Sequence, residues 1–221
     1  MLRIGVSSAP ARINFRLYVV TDRHQTAGRD LEEIVAAAAR GGAGAIQLRE
    51  KDLSARDLYA LGARLQATLS PYGVPLLIND RLDVALALDA AGVHLAGHSL
   101  PTAVARRVLG TGKLLGVSTH SVEEARCAAE DGADFIVFGP VFTTPSKVAY
   151  GPPQGLQHLT TVVRAVCVPV IAIGGIDHTN LPQVVQAGAY GVAMIRAVLA
   201  APDPYQATQQ LQAAFAVASQ G

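Results

Sequence analysis

Eight short apolar runs, each closed by polar residues and nearly all followed by a helical stretch, most restrict what this chain can become. The runs are Phe15–Val20, Ala45–Leu48, Val74–Ile78, Gly92–Leu95, Lys113–Val117, Asp134–Phe138, Val168–Ile173 and Tyr190–Ile195. They are continuous and do not alternate, the pattern of parallel strands covered on both faces. The segments between them carry helix signals. Asp30 stands as an N-cap before LEEIVAAAAR, with Glu32 and Glu33 in the first turn and Gly41-Gly42 as the stop. Ser54 opens ARDLYALGARLQATL, whose apolar residues recur at helical spacing. RLDVALALDA, the stretch from Pro101 to Leu109, the Ala- and Glu-rich stretch after Ser121, and segments 155–166, 180–187 and 203–219 read as further helices. A doubly wound open sheet shares this alternation. Eight regular units with polar strand ends favour closure into a single (β/α)8 TIM barrel, an α/β fold.

Composition sets the outer limits. The chain has 221 residues, half of them hydrophobic, enough for one domain with a substantial core and no internal linker. Residues 1–13 are expected to form a flexible N-terminal extension. A net charge of +1 without a long basic run argues against nucleic acid and anionic membranes as partners. No apolar run reaches the ~18 residues of a membrane span. MLRIGVSSAPAR lacks the apolar stretch of a signal peptide, so a soluble cytoplasmic protein is expected. Cys127 and Cys167 are too few and too far apart for a disulfide framework or a zinc knuckle, and read as buried structural thiols.

A closed barrel gathers the carboxyl ends of its strands in one pocket. Those ends carry Gln47, Arg49 and Lys51; Asn79 and Asp80; Ser118 and His120; Thr144, Ser146 and Lys147; and Gly174 and Gly175. The set is cationic and rich in hydrogen-bonding groups, which suits a phosphorylated small molecule. IGGI after the seventh run and GVAMI at the eighth fit a phosphate cradle of backbone N–H groups, although a tight turn would also need the glycines. Gln47, Arg49 and Lys51 share one side of the chain, and Glu50 takes the other. Asp80 suits either a magnesium ligand or an N-cap for the helix that follows. His24, His158 and His178 read as surface residues, His94 as a satisfied core histidine, and His98 as a loop residue near the pocket. His120 follows the fifth run directly, where barrel enzymes concentrate their catalytic groups, and suits general acid/base work. Its THSVEEA context also fits a capping box, with Ser121 as N-cap and Glu124 at N3.

YVVTD, IQLREK, LLINDRLDVALAL, GVHL, GVSTHSVEEA, GADFIVFGPVF, TPSK and VPVIAIGGI, in this order from Tyr18 to Ala197, resemble the thiamine phosphate synthase/TenI superfamily. The resemblance implies a (β/α)8 barrel in thiamine biosynthesis with a thiazole phosphate as ligand. One superfamily activity, the synthase, joins hydroxymethylpyrimidine diphosphate to a thiazole phosphate with Mg2+ held by two aspartates. The first matches Asp80, but the second falls on Ser99 in GVHLAGHSLP. The lysine-rich loop keeps Lys147 and loses the Lys and Asp that follow it in the synthase pattern. GHSLP and TPSKVAYGPPQGL instead resemble the TenI-type branch, which includes a thiazole tautomerase. On that resemblance the leading reading is a cofactor-free tautomerase in which His120 moves a proton. Arg49 or Lys51 would hold the carboxylate, and Gly174, Gly175 and the backbone at Ile195 and Arg196 the phosphate. Arg196 stands where the family has serine. QLREK and Asn79-Asp80 are intact, which keeps open the synthase, with Lys51, Asn79, Asp80 and Lys147 on Mg2+–diphosphate. A non-catalytic regulatory protein is the third reading. A homo-oligomer is compatible with all three.

Overall fold

The structure, a computed structural model, describes residues 13–144 and 153–219. Its strands are β1 (Leu17–Val20), β2 (Ala45–Leu48), β3 (Leu76–Asn79), β4 (Gly92–Leu95), β5 (Leu114–Thr119), β6 (Phe135–Phe138), β7 (Val170–Ile173) and β8 (Gly191–Met194). Each pairs in parallel with the next, and β8 pairs with β1, so the sheet is a closed barrel. Helices α1 (Leu31–Arg40), α2 (Ala55–Leu69), α3 (Leu82–Ala87), α4 (Thr102–Leu109), α5 (Val122–Glu130), α6 (Gly155–Ala165), α7 (Leu181–Gln186), α8 (Arg196–Leu199) and α9 (Pro204–Ala218) surround it. This is the expected (β/α)8 architecture.

Strand parity divides the core in two. Leu17, Val19, Ile46, Leu48, Ile78, Val93, Leu95, Leu115, Ile136, Phe138, Ala172 and Val192 point outward and pack under the helices. Tyr18, Val20, Ala45, Leu77, Phe135, Val137, Ile171 and Ala193 point inward and fill the barrel. The inner layer is aromatic: Phe15, Tyr18 and Phe135 stack at 5.5–5.8 Å between ring centroids. Gly116 makes room for it, because a Cβ there would lie 2.2 Å from the Phe135 ring.

The helices follow their signals. The Asp30 side chain accepts from the N–H groups of Glu32 and Glu33, and Leu31, Ile34, Val35 and Ala38 form the buried face of α1. Ser54 caps α2 by accepting from Asp57 N–H, and Leu58, Leu61, Leu65 and Leu69 are buried at helical spacing. Truncating the fully buried Leu65 to alanine would cost about 2–5 kcal/mol.

Ile13 is buried beneath the barrel and its carbonyl accepts from the Tyr190 hydroxyl at 2.9 Å; the rest of the expected 1–13 extension lies outside the described residues. Two expectations are corrected. Phe15 lies below β1 and serves as a floor plug, not as its first residue. Both cysteines are exposed. Cys127 sits on α5 away from the inward Ala125 and Ala128, and Cys167 lies in the turn before β7. Among the described residues no helix is long and apolar enough to cross a membrane.

Candidate active site

The inward parity that fills the barrel with aromatics carries polar groups at the upper ends of the same strands. Gln47 on β2 is buried, and its Nε2 donates to the Tyr18 hydroxyl at 3.1 Å. One residue beyond the Leu48–Ile78 pair, Arg49 faces Asn79, which pairs with His94; His94 pairs with Gly116. Arg49, Asn79 and Ser118 are half-buried at this rim, whereas Lys51 is exposed on the loop beyond. His94 is buried as expected but only half satisfied. Its Nε2 lies 2.8 Å from Ser118 Oγ, and its Nδ1 has no partner among the described residues. Burial, and secondarily the Arg49 charge, push its pKa down to about 3, so the ring is neutral.

The opposite parity holds the rim in place. Glu50 faces away from the pocket with its side chain 1% exposed. It accepts from the Thr21 hydroxyl at 2.6 Å and from the Arg23 backbone N–H at 3.1 Å, and pairs with the Arg23 guanidinium at 3.3 Å. Thr21 Oγ1 in turn accepts from Arg49 N–H at 2.9 Å. Arg23 also forks onto Asp52 at 2.7 and 2.5 Å, and His24 reaches the same carboxylate at 3.1 Å. These hydrogen bonds from Arg23 and His24 hold the exposed Asp52 carboxyl down to about 2. The backbone on both sides of Arg49 is therefore tied to the end of β1. Neither Glu50 nor this network was expected as functional; the parity of Glu50 was the available signal.

Asp80 follows β3 with φ +63°, a left-handed conformation that Asp and Asn adopt more readily than other residues with side chains. Its N–H donates to the His94 carbonyl at 2.9 Å, and the N–H of Leu82 returns to its own carbonyl at 3.0 Å. Its carboxylate makes no hydrogen bond with a described residue, and Arg81 is the residue at the α3 N-cap position, so the capping role is not used. Ser99 Oγ accepts from Ala96 N–H at 2.8 Å and so closes the turn after β4. Magnesium commonly takes one or two carboxylates and completes its shell with substrate phosphates and water. One carboxylate and a neutral hydroxyl fit a cation that arrives with a diphosphate, not an all-protein cage. Among the described residues no cluster of three His, Cys, Asp or Glu forms a metal site.

His120 lies just past β5. Its backbone N–H donates to Glu124 at 2.6 Å, and Glu124 N–H donates to Ser121 Oγ at 3.1 Å, a variant of the expected capping box. Its Nδ1 lies 2.5 Å from the Gly139 carbonyl at the end of β6. A carbonyl only accepts, so Nδ1 carries the proton there, and in the neutral ring Nε2 holds the lone pair. Across the mouth, Gly174 (φ +101°) and Gly175 (φ +65°) form the turn after β7. Their N–H groups have no partner among the described residues, and a Cβ on Gly174 would strike Pro140 at 2.6 Å. Ile195 is half-buried, Arg196 is exposed at the start of α8, and Thr144 is half-buried after β6. Ser146, Lys147 and Tyr150 lie outside the described residues. His24, His158 and His178 are exposed, as expected, and His98, expected in a loop near the pocket, is exposed as well.

Comparison with known proteins bears on this arrangement directly. A family model described as thiamine monophosphate synthase (TMP-TENI) matches residues 17–198, the whole barrel from β1 to α8. The chain belongs to this family. It is 53% identical over 195 residues to a thiamine-phosphate synthase of Roseiflexus castenholzii, covering 88% of this chain and 86% of that protein. A putative thiamine-phosphate synthase of Geobacter sulfurreducens is 49% identical over 203 residues, covering 92% and 95%. Among solved structures, a thiamine phosphate pyrophosphorylase from Pyrococcus furiosus superposes with a TM-score of 0.85 at 37% identity, covering 92% of this chain and 96% of that one. These likenesses support an enzyme of thiamine biosynthesis, and among the expected activities they favour the synthase over the tautomerase.

Proposed function

We propose that the chain is a thiamine-phosphate synthase, joining hydroxymethylpyrimidine diphosphate to a thiazole phosphate with release of pyrophosphate. The observation that carries this reading is Asp80: a carboxylate with no hydrogen bond to a described residue, on a left-handed turn next to Asn79 at the cationic rim. The names of relatives sharing about half their sequence with this chain support it. Arg49, Lys51, Asn79 and Ser118, with Lys147, would bind the diphosphate. Their positive charge and N–H or O–H donors stabilise the negative charge that grows on the departing pyrophosphate. Gln47, tied to Tyr18, would face the pyrimidine. The N–H groups of Gly174 and Gly175, which have no partner among the described residues, with Thr144, Ile195 and Arg196, would take the thiazole phosphate on the other side. Asp80 would hold Mg2+, which when bound neutralises the diphosphate.

Two observations favour the tautomerase as a second reading. Ser99 replaces the second aspartate with a neutral hydroxyl engaged in a turn, and His120 presents an Nε2 lone pair suited to taking a proton. Incubating the protein with hydroxymethylpyrimidine diphosphate, a thiazole phosphate without the carboxyl group and Mg2+ separates the two. Thiamine phosphate that disappears on chelation is the expected product. Its absence, with conversion of the dearomatised thiazole isomer by the same preparation, overturns the synthase reading.

A further inference from the structure

The buried His94 is a polar group that this reading leaves without a task. It stands on β4 with its ring 5.9 Å from Tyr18 and 6.0 Å from Phe135, and is 3% exposed. Its backbone pairs with Gly116, so Ser118 lies two residues nearer the mouth on the same inward face of β5. A neutral imidazole has one N–H and one lone pair. If Nδ1 carried the proton, a buried donor would be left unpaired, the rarer and costlier kind of orphan. Nε2 would then have to accept the Ser118 hydrogen, leaving the hydroxyl nothing to donate. With the proton on Nε2 only a lone pair is left unmatched. Ser118 Oγ then accepts from His94 at 2.8 Å, and its own hydrogen is free to point into the pocket.

We propose that His94 is a positioning residue that fixes the Ser118 hydroxyl as a donor toward an anionic phosphate oxygen at the cationic rim. Only the identity of that anion, the pyrimidine diphosphate, rests on the synthase reading. Inorganic pyrophosphate serves as the probe and requires no turnover. Nitrogen-15 spectra of the histidine rings in the unliganded protein should place the His94 proton on Nε2; a proton on Nδ1 overturns the proposal. Pyrophosphate binding by calorimetry should weaken roughly 10- to 100-fold in Ser118→Ala, the worth of a hydrogen bond to a charged group. The same loss is expected in His94→Phe, with no further loss in the double variant. His94→Gln, whose amide can donate to Oγ, should recover most of the affinity. Additive losses, an unaffected His94→Phe that melts as the parent does, or no pyrophosphate binding by the parent overturn it. Failure to form thiamine phosphate while the binding cycle holds would count against the synthase reading alone.

Discussion

The left-handed turn at Asp80 allows backbone and side chain to be tested separately. Asparagine tolerates φ +63° about as well as aspartate, whereas alanine in that conformation costs roughly 1–2 kcal/mol. Asp80→Asn is therefore expected to melt within a degree or two of the parent while losing Mg2+-dependent pyrophosphate release by about 100-fold or more, the scale on which loss of transition-state charge stabilisation is felt. Asp80→Ala should show both defects. Equal Mg2+ dependence in parent and Asp80→Asn, measured by titrating the metal, would remove Asp80 from the site. His120 gives the complementary result. Its Nδ1 is committed to Gly139, so His120→Ala should abolish tautomerisation if Nε2 is the base. Under the synthase reading the loss in thiamine phosphate formation should be the smaller one, and the ratio of the two rates in one variant decides.

At the scale of elements, the ends of β1 and β2 behave as one unit because Glu50, Thr21, Arg23 and Asp52 bind them together. Removing the buried partner should matter far more than removing the exposed one. Glu50→Ala leaves the Thr21 hydroxyl and the Arg23 backbone N–H without their acceptor, while the Arg23 guanidinium keeps Asp52, and is expected to cost about 1–3 kcal/mol in denaturant unfolding. The Asp52 contribution is small, screened by salt and dependent on acid. Its folded-state pKa lies below the ordinary carboxylate value, so it adds stability above about pH 4 and none once the pH has fallen through about 2. The difference in melting temperature between the parent and Asp52→Asn should be constant from pH 7 to 5 and vanish between about pH 4 and 2. Elements of this kind are also where sequence and structure agree unevenly. α2 is found with the bounds that its Ser54 cap and leucine spacing dictate, and β2 and β4 likewise. The four-residue α8 is too short to leave a period, and Ser118 and Thr119 continue β5 although their polarity suggested its end. The rim residues were legible because strand parity orders them. The buried Glu50 network and the Nε2 contact of His94 were not, because both depend on partners 24–29 residues away.

Across the whole barrel, the site is built on the layer that closes it. Arg49, Asn79 and His94 form the rim directly above Tyr18, Leu77 and Phe135, and Phe135 fits only because β5 has no side chain at Gly116. The eight units and their order are legible in the sequence but this interlock is not, since the helical and strand patterns record the outer layer and say nothing of which inner rings meet. Gly116→Ala forces the Phe135 ring to shift, and in a packed interior that overpacking costs about 1–3 kcal/mol. Phe135→Leu alone leaves a gap beside Phe15 and Tyr18 and should also destabilise. The two changes offset one another in volume at one contact, so the double variant should be more stable than the sum of the single losses predicts, by about 0.5–3 kcal/mol in equilibrium unfolding. Phe135 also flanks the His94 ring at 6.0 Å, and through it Ser118. Gly116→Ala should therefore weaken pyrophosphate binding as well as stability, and Phe135→Leu in the same chain should restore both. Additive stability losses, with binding unchanged throughout, would mean that the barrel interior and the rim are mechanically separate.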